Sequence, residues 1–243
     1  MAASHRLTLA KALAAELRVR EGRNLVAVGV YGSVARGDER THSDVDVLVV
    51  VRRKKAAITH HLRDGVLITI LQQTPSEAKA EVTAAHPGLN DALGGWRSMK
   101  PLYDPSGLLR RLTRAAKDPS DAQFREAGRR ALIETYEDLG KLRNAIESHD
   151  TEETREMAIW YSGGAMGALF DLHHHVLRTG RRAFIEIRRY GEVGEAVRRL
   201  RYETLSLAET ARLAEDSWEA LLALARRKRV RLPRFAGESQ GRL

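Results

Sequence analysis

Residues 32–46 read Gly-Ser-Val-Ala-Arg-Gly-Asp-Glu-Arg-Thr-His-Ser-Asp-Val-Asp, a Gly-Ser turn joined to two carboxylates, Asp44 and Asp46. The run before it, 24–31 (NLVAVGVY), and the run after the first acid, 45–51 (VDVLVVV), are short, apolar and rich in β-branched residues, the composition of buried strands. Gly32 and Ser33 therefore sit at a strand end. A short helix over 34–36 would turn its free backbone N–H groups toward an anion above Ser33, with Arg36 one turn along beside the same charge. Asp44 and Asp46 are two apart on a strand, so both side chains leave one face and can grip one hard cation. Oxygen-only ligands at this spacing favour Mg²⁺ held jointly with the phosphates of a nucleotide. Each piece alone is ordinary, since Gly-Ser occurs in many turns and one Asp can simply solvate a strand entry. Their succession between two apolar strands is not ordinary, and two like charges this close repel unless a cation pairs them.

This segment resembles the DNA polymerase β-like nucleotidyltransferase superfamily, whose signature is a Gly-Ser turn followed by an Asp-x-Asp or Asp-x-Glu pair. The resemblance implies transfer of a nucleoside monophosphate from a nucleoside triphosphate. It makes Asp44 and Asp46 the Mg²⁺ ligands and places Gly32, Ser33 and Arg36 against the triphosphate. It fixes the chemistry better than the acceptor, because the superfamily spans antibiotic-modifying enzymes, RNA-tailing enzymes and antitoxins.

The chain has 243 residues, enough for one large domain or two modest ones. No apolar run reaches the ~18 residues of a membrane span, and the best candidate, 157–170, reads as a buried helix. The N-terminus is amphipathic, with Lys11 and Glu16 inside it, and does not read as a signal peptide. With no cysteine there is neither a disulfide framework nor a thiolate metal site. A cytoplasmic enzyme without membrane contact is the expectation. The net charge of +9 is unevenly spread. Residues 1–118 carry 19 basic and 12 acidic side chains, a balance of +7, and residues 119–225 carry 15 and 19, a balance of −4. Much of the rest is Arg226-Arg227-Lys228-Arg229 with Arg231 and Arg234, six basic residues in nine. A helix C-terminus that favours cations and is stopped by Pro233 accounts for this run more simply than an RNA-binding tail, which would interleave aromatics. Nucleic acid is thus an allowed partner but not the favoured one.

The organisation changes once. Up to about residue 118 strand-like and helix-like runs alternate, with 66–71 (VLITIL) a third strand and 99–103 a fourth, so the first part reads as an α/β (α+β) domain with a mixed sheet. Asp118-Pro-Ser-Asp121 is a break with helix-capping chemistry. Beyond it the pattern is helical over 121–149, 152–179 and 206–230, an all-α helical bundle. The expected domains are 1–118 for nucleotide and metal, and 119–243 for the acceptor and for dimerisation.

In the first long helix Glu134, Glu137, Lys141 and Asn144 form one polar stripe, and Glu137 with Lys141 reads by itself as an exposed i, i+4 ion pair. The run 137–144 (EDLGKLRN) resembles a helix of the kanamycin nucleotidyltransferase family. So do 100–107 (KPLYDPSG) and the small-residue run 163–172 followed by His173 and His174. Together these span about residues 25–178. The resemblance implies that Glu137 is the general base, that Lys141 binds the triphosphate, and that a homodimer with shared active sites transfers AMP from Mg-ATP to a hydroxyl of a small, aminoglycoside-like molecule. One departure stands out. Where that family carries an acid on the next strand, this chain has Thr69, which offers a polycation no carboxylate and Mg²⁺ no strong ligand. Transfer to RNA or protein, or a non-catalytic antitoxin-like nucleotide-binding module, are the alternative readings.

Three features read as structural. His173-His174-His175, at adjacent positions of a helix, would diverge by about 100° each and suit packing better than one metal. Ser162-Gly163-Gly164 with Gly167 suits close helix approach, within the chain or across a subunit interface. Trp96, Trp160 and Trp218 read as core or interface.

Overall fold

The computed structural model describes residues 4–233, so Arg234 of the basic run lies outside them. The chain divides into two compact units, the first comprising residues 4–84, 91–120 and 176–180, the second 85–90, 121–175 and 181–233. Among the described residues no helix is long and apolar enough to cross a membrane.

The first unit opens with α1 (His5–Glu21), whose N-terminus is capped by Ser4 accepting from the Leu7 N–H. There follow β1 (Leu25–Tyr31), the five-residue helix α2 (Gly32–Arg36), β2 (Val45–Val51), β3 (Ile58–Arg63) and β4 (Val66–Gln73). Helices α3 (Pro75–Thr83) and α4 (Leu89–Ser98), strand β5 (Lys100–Tyr103) and helix α5 (Leu108–Ala115) complete the series. The strands form one mixed sheet in the order β3-β4-β2-β1-β5, parallel only between β2 and β4. Alternation sorts its side chains. Val45, Val47, Val49 and Val51 join Val28, Val30, Ile68 and Ile70 beneath Leu9, Leu13 and Leu17 of α1 as the buried core. Asp46 and Leu48 face the other way, the side on which α3 packs against β2 and β4 and α5 against β1. Strand β3 was not expected from the sequence. Its residues, ITHHLR, are exposed or half-buried throughout, so no apolar periodicity marks them. The Asp64-Gly65 pair, at φ 52° and 70°, turns the β3–β4 hairpin and was the available signal.

The second unit is helical. It contains α6 (Asp121–Glu147), α7 (Thr151–Leu172), α8 (Ala183–Glu186), α9 (Gly191–Tyr202) and α10 (Leu207–Arg227). Helices α6 and α7 approach closely at Gly164, where a Cβ would stand 2.8 Å from the Thr135 hydroxyl oxygen. The buried Tyr161 hydroxyl meets the Ala214 carbonyl at 3.1 Å and the Ser217 hydroxyl at 2.9 Å, tying α7 to α10. Asp171, fully buried, accepts from the Asn90 backbone N–H at 3.2 Å and from Asn90 Nδ2 at 2.8 Å, while its Oδ2 has no partner. Burial pushes this carboxyl up to about 6.

Helices α6, α7 and α10 end alike. In each, the N–H after a left-handed residue returns to a carbonyl five positions back: Asp150 to Ala145, His175 to Phe170, and Val230 to Ala225. The left-handed residues are His149 (φ 58°), His174 (φ 56°) and Arg229 (φ 58°), none of them glycine. These caps correct two helix ends. The helix expected to reach 179 stops at Leu172, and the one expected to reach 230 stops at Arg227, well before Pro233. The stretch 180–205, unassigned from the sequence, contains α8 and α9. The three histidines therefore do not occupy successive helical positions. Each lies against an aromatic ring: His173 on Tyr190 at 4.2 Å, His174 on Phe124 at 4.8 Å and His175 on Phe170 at 4.6 Å. Trp96 and Trp218 are buried, whereas Trp160 is 55% exposed.

Candidate active site

Strand register brings the first pieces together. Tyr31, the last residue of β1, stands opposite Asp46 of β2, so the turn that follows Tyr31 lies beside that carboxylate. Gly32 has φ 69°, and a Cβ there would stand 2.6 Å from Asp46 Oδ2. Only glycine satisfies both the backbone conformation and the approach. The Gly32 N–H donates to Ser98 Oγ at 3.2 Å, and the Ser98 hydroxyl donates to the Gly95 carbonyl at 2.8 Å. The Ser33 carbonyl accepts from the N–H groups of Gly37 and Asp38 at 2.9 and 3.1 Å, closing the short helix. Arg36, from the last turn of α2, sets its Nε 3.2 Å from both Asp38 oxygens, and Arg178 reaches the same carboxylate at 3.7 Å. On the other side Arg6 of α1 donates to the carbonyls of Ser43 and Thr41 at 2.7 and 2.5 Å, fixing the loop that delivers Asp44. Sequence reasoning missed both Ser98 and Arg6, whose partners lie 66 and 37 residues away along the chain and leave no local signal.

Gly32, Ser33, Arg36, Asp44 and Asp46 are thus gathered in one unit. Asp46 is half-buried, and burial followed by the neighbouring Asp44 charge pushes its carboxyl up to about 6, with Arg36 pulling the other way. Neither carboxylate accepts a hydrogen bond from a described residue. A pair of acids that disfavour each other's ionisation, on one face and with oxygen donors only, fits a hard divalent cation. Burial, then Asp46, Glu81 and Asp44, also raise the Tyr31 hydroxyl. Thr69 stands directly opposite Asp46 in the parallel β2–β4 pairing, with its Oγ1 3.2 Å from His60 Nδ1.

Glu137 and Lys141 belong to the second unit. They lie on the exposed side of α6, joined by an ion pair of 2.8 Å. The Lys141 ammonium holds the Glu137 carboxyl below the usual range, and Glu137 in turn raises the lysine.

Residues 11–92, from α1 into α4, match the family model of the nucleotidyltransferase domain. The match covers 82 of the 243 residues. The Gly-Ser turn and both acids fall inside it. Two relatives, each named aminoglycoside nucleotidyltransferase (4'), from Bacillus sp and Staphylococcus aureus, are 27% identical to the chain over 168 residues, covering 65% of it and 63% of each relative. The match therefore spans under two thirds of those relatives, and it supports the likeness to kanamycin nucleotidyltransferases drawn from 137–144 and 100–107. A nucleotidyltransferase-like protein from Exiguobacterium sibiricum 255-15 shares the fold, with a TM-score of 0.59 at 10% identity over 88% of this chain and 74% of that one.

Proposed function

We propose that the chain transfers a nucleoside monophosphate, AMP from Mg-ATP, to a hydroxyl of a small polyhydroxylated molecule of aminoglycoside-like framework. The observation that carries this reading is the approach of Gly32 to Asp46, which ties a phosphate-type turn to a two-carboxylate cation site. Asp44 and Asp46 would hold Mg²⁺, which when bound offsets phosphate charge. Backbone N–H groups after Gly32 and the Arg36 guanidinium orient the triphosphate. The acceptor oxygen bonds to the α-phosphorus as the bond to the bridging oxygen breaks and pyrophosphate leaves. The hydroxyl proton passes to Glu137, whose low-lying carboxyl is ionised and ready to accept it at neutral pH, while Lys141 contacts the phosphates. A homodimer with shared active sites goes with this assignment of Glu137 and Lys141.

The test is Mg²⁺-dependent pyrophosphate release from ATP across a panel of aminoglycosides. Asp44→Asn is expected to abolish release, and Glu137→Gln to lower kcat by about 10²–10⁴-fold while leaving nucleotide binding intact. Undiminished turnover in Asp44→Asn, or no release with any aminoglycoside, would remove the reading.

A further inference from the structure

The Gly32 N–H, the first of the Gly-Ser turn, donates to the Ser98 hydroxyl at 3.2 Å, at the last position of α4. The direction of that bond is fixed. The Ser98 hydroxyl has one proton, which goes to the Gly95 carbonyl at 2.8 Å, so toward Gly32 it acts only as an acceptor. The residues around Ser98 are anchored on both sides. Trp96, 2% exposed, donates through Nε1 to Glu81 of α3 at 3.0 Å, and the same carboxylate oxygen takes Gln73 Nε2 of β4 at 2.8 Å. Arg97 Nε donates to the Ala116 carbonyl at 2.8 Å, and the Met99 N–H closes on the Trp96 carbonyl at 3.1 Å. Toward β1, a Cβ on Gly29 would stand 2.5 Å from Met99 Sδ, and one on Gly95 would meet the Tyr31 ring at 3.7 Å. An acceptor carried by a segment held in this way is preorganised.

From this we infer that Ser98 is a positioning residue for the nucleoside triphosphate: without touching the nucleotide, it holds the Gly32 peptide so that the turn keeps its place against Asp46 and presents its later N–H groups to the phosphates. The inference rests on the transferase reading and adds a residue to it. Gly32 sits at φ 69°, with its Cα close enough to Asp46 that a Cβ would stand 2.6 Å from Oδ2, so the turn has a narrow range of workable positions. Removal of the Ser98 hydroxyl takes the partner from two backbone groups at once, the Gly32 N–H and the Gly95 carbonyl, and each regains one only by admitting water or by shifting the turn. A turn that samples other positions binds triphosphate more weakly, in proportion to the time it spends away from the competent one. The effect falls on the nucleotide, because the acceptor hydroxyl does not use this turn in the proposed reaction.

The test is calorimetric binding of α,β-methylene ATP with Mg²⁺ to the full chain, without acceptor. Ser98→Ala is expected to weaken the analogue about tenfold, the scale of one lost hydrogen bond, and Ser98→Thr, which keeps the hydroxyl, to stay within about threefold of wild type. Ser98→Cys, close to serine in size but a weak acceptor, is expected to weaken binding as well and stands in for the alanine variant if that one does not fold. Thr74→Ala controls for stability alone, since it removes the α3 cap in which Thr74 Oγ1 accepts from the Glu77 N–H at 3.3 Å, away from the turn. It is expected to lower the melting temperature and leave affinity at the wild-type value. Under turnover, the KM for ATP is expected to rise in Ser98→Ala while the KM for the acceptor stays. Unchanged affinity in Ser98→Ala, or an equal loss in Thr74→Ala, overturns the inference alone. Absence of pyrophosphate release from a wild type that binds the analogue strikes the transferase reading and leaves the binding role of Ser98 standing, whereas a wild type that does not bind the analogue overturns both.

Discussion

Gly32 and Gly37 bracket the same short helix, both at positive φ (69° and 75°), yet they are not equivalent. A Cβ on Gly37 would meet nothing within 4 Å, whereas one on Gly32 would strike Asp46 Oδ2 at 2.6 Å. Gly37→Ala therefore costs only the left-handed backbone term, about 1–2 kcal/mol. Gly32→Ala adds a collision with the Asp46 carboxylate, the proposed cation ligand, so it must move Asp46 as well. The expected outcome is that Gly37→Ala melts lower but keeps its thermal stabilisation by Mg²⁺ with a non-hydrolysable ATP analogue, while Gly32→Ala loses most of that stabilisation. Equal ligand-induced shifts in the two variants would dissociate the turn from the metal site.

At the scale of elements, glycines sort the close helix contacts from the open ones. A Cβ on Gly94 of α4 would lie 1.8 Å from the Leu177 carbonyl oxygen, a backbone atom held by the short 176–180 segment of the same unit. Backbone cannot step aside as a side chain can, so Gly94→Ala is expected to cost about 3 kcal/mol or more, read from the urea midpoint. Gly163 of α7 faces open space, and Gly163→Ala is expected to gain about 0.5–1 kcal/mol from helix propensity. What the sequence disclosed follows the same division between local and distant causes. β1, β2 and β4 were legible because their apolar, β-branched runs are buried on a shared core. β3 was not, because a strand exposed on both faces has no periodicity to show. The Gly-Ser turn and its acids were legible because they lie within fifteen residues. The supports at Arg6 and Ser98 were hidden because only folding brings them near. Glu137 with Lys141 was legible as an ion pair by spacing, but any role in chemistry came from resemblance and not from the residues.

Over the whole molecule two sets of carboxyl groups pull stability in opposite directions with pH. Burial pushes Asp46 and Asp171 up to about 6 and raises Asp91 and Asp138 as well. Such groups ionise less readily in the folded chain than in the unfolded one, so folding stability is lost as pH rises from the ordinary carboxylate value toward 6. Arginine and lysine partners act the other way, holding Glu126 at about 2 and lowering Glu137 and Glu203, a stability lost as pH falls through the carboxylate range. The second set lies in exposed ion pairs, which water and salt weaken. The buried set prevails down to the point where the ion pairs begin to protonate. A melting temperature that is highest near about pH 4, falls as the pH rises to about 6 and then levels off is expected for the metal-free protein, with saturating Mg²⁺ flattening that fall by keeping ionised Asp46 paired. A steady rise to pH 8 without metal would contradict the assignment.

The non-glycine helix ends bear on how the chain can change over time. His174 is offset at its left-handed position by the stack on Phe124, but His149 and Arg229 make no ring contact among the described residues, and glycine would hold their backbone with less strain, by about 1 kcal/mol each. Both sit far in sequence from the Gly-Ser turn and its two acids, at the C-terminal ends of α6 and α10. A lineage that accumulates destabilising changes elsewhere in the chain therefore has two independent sites at which one substitution restores the folded state without touching the Gly-Ser turn or its acids. The helix ends are in this sense a latent tolerance for divergence elsewhere in the chain.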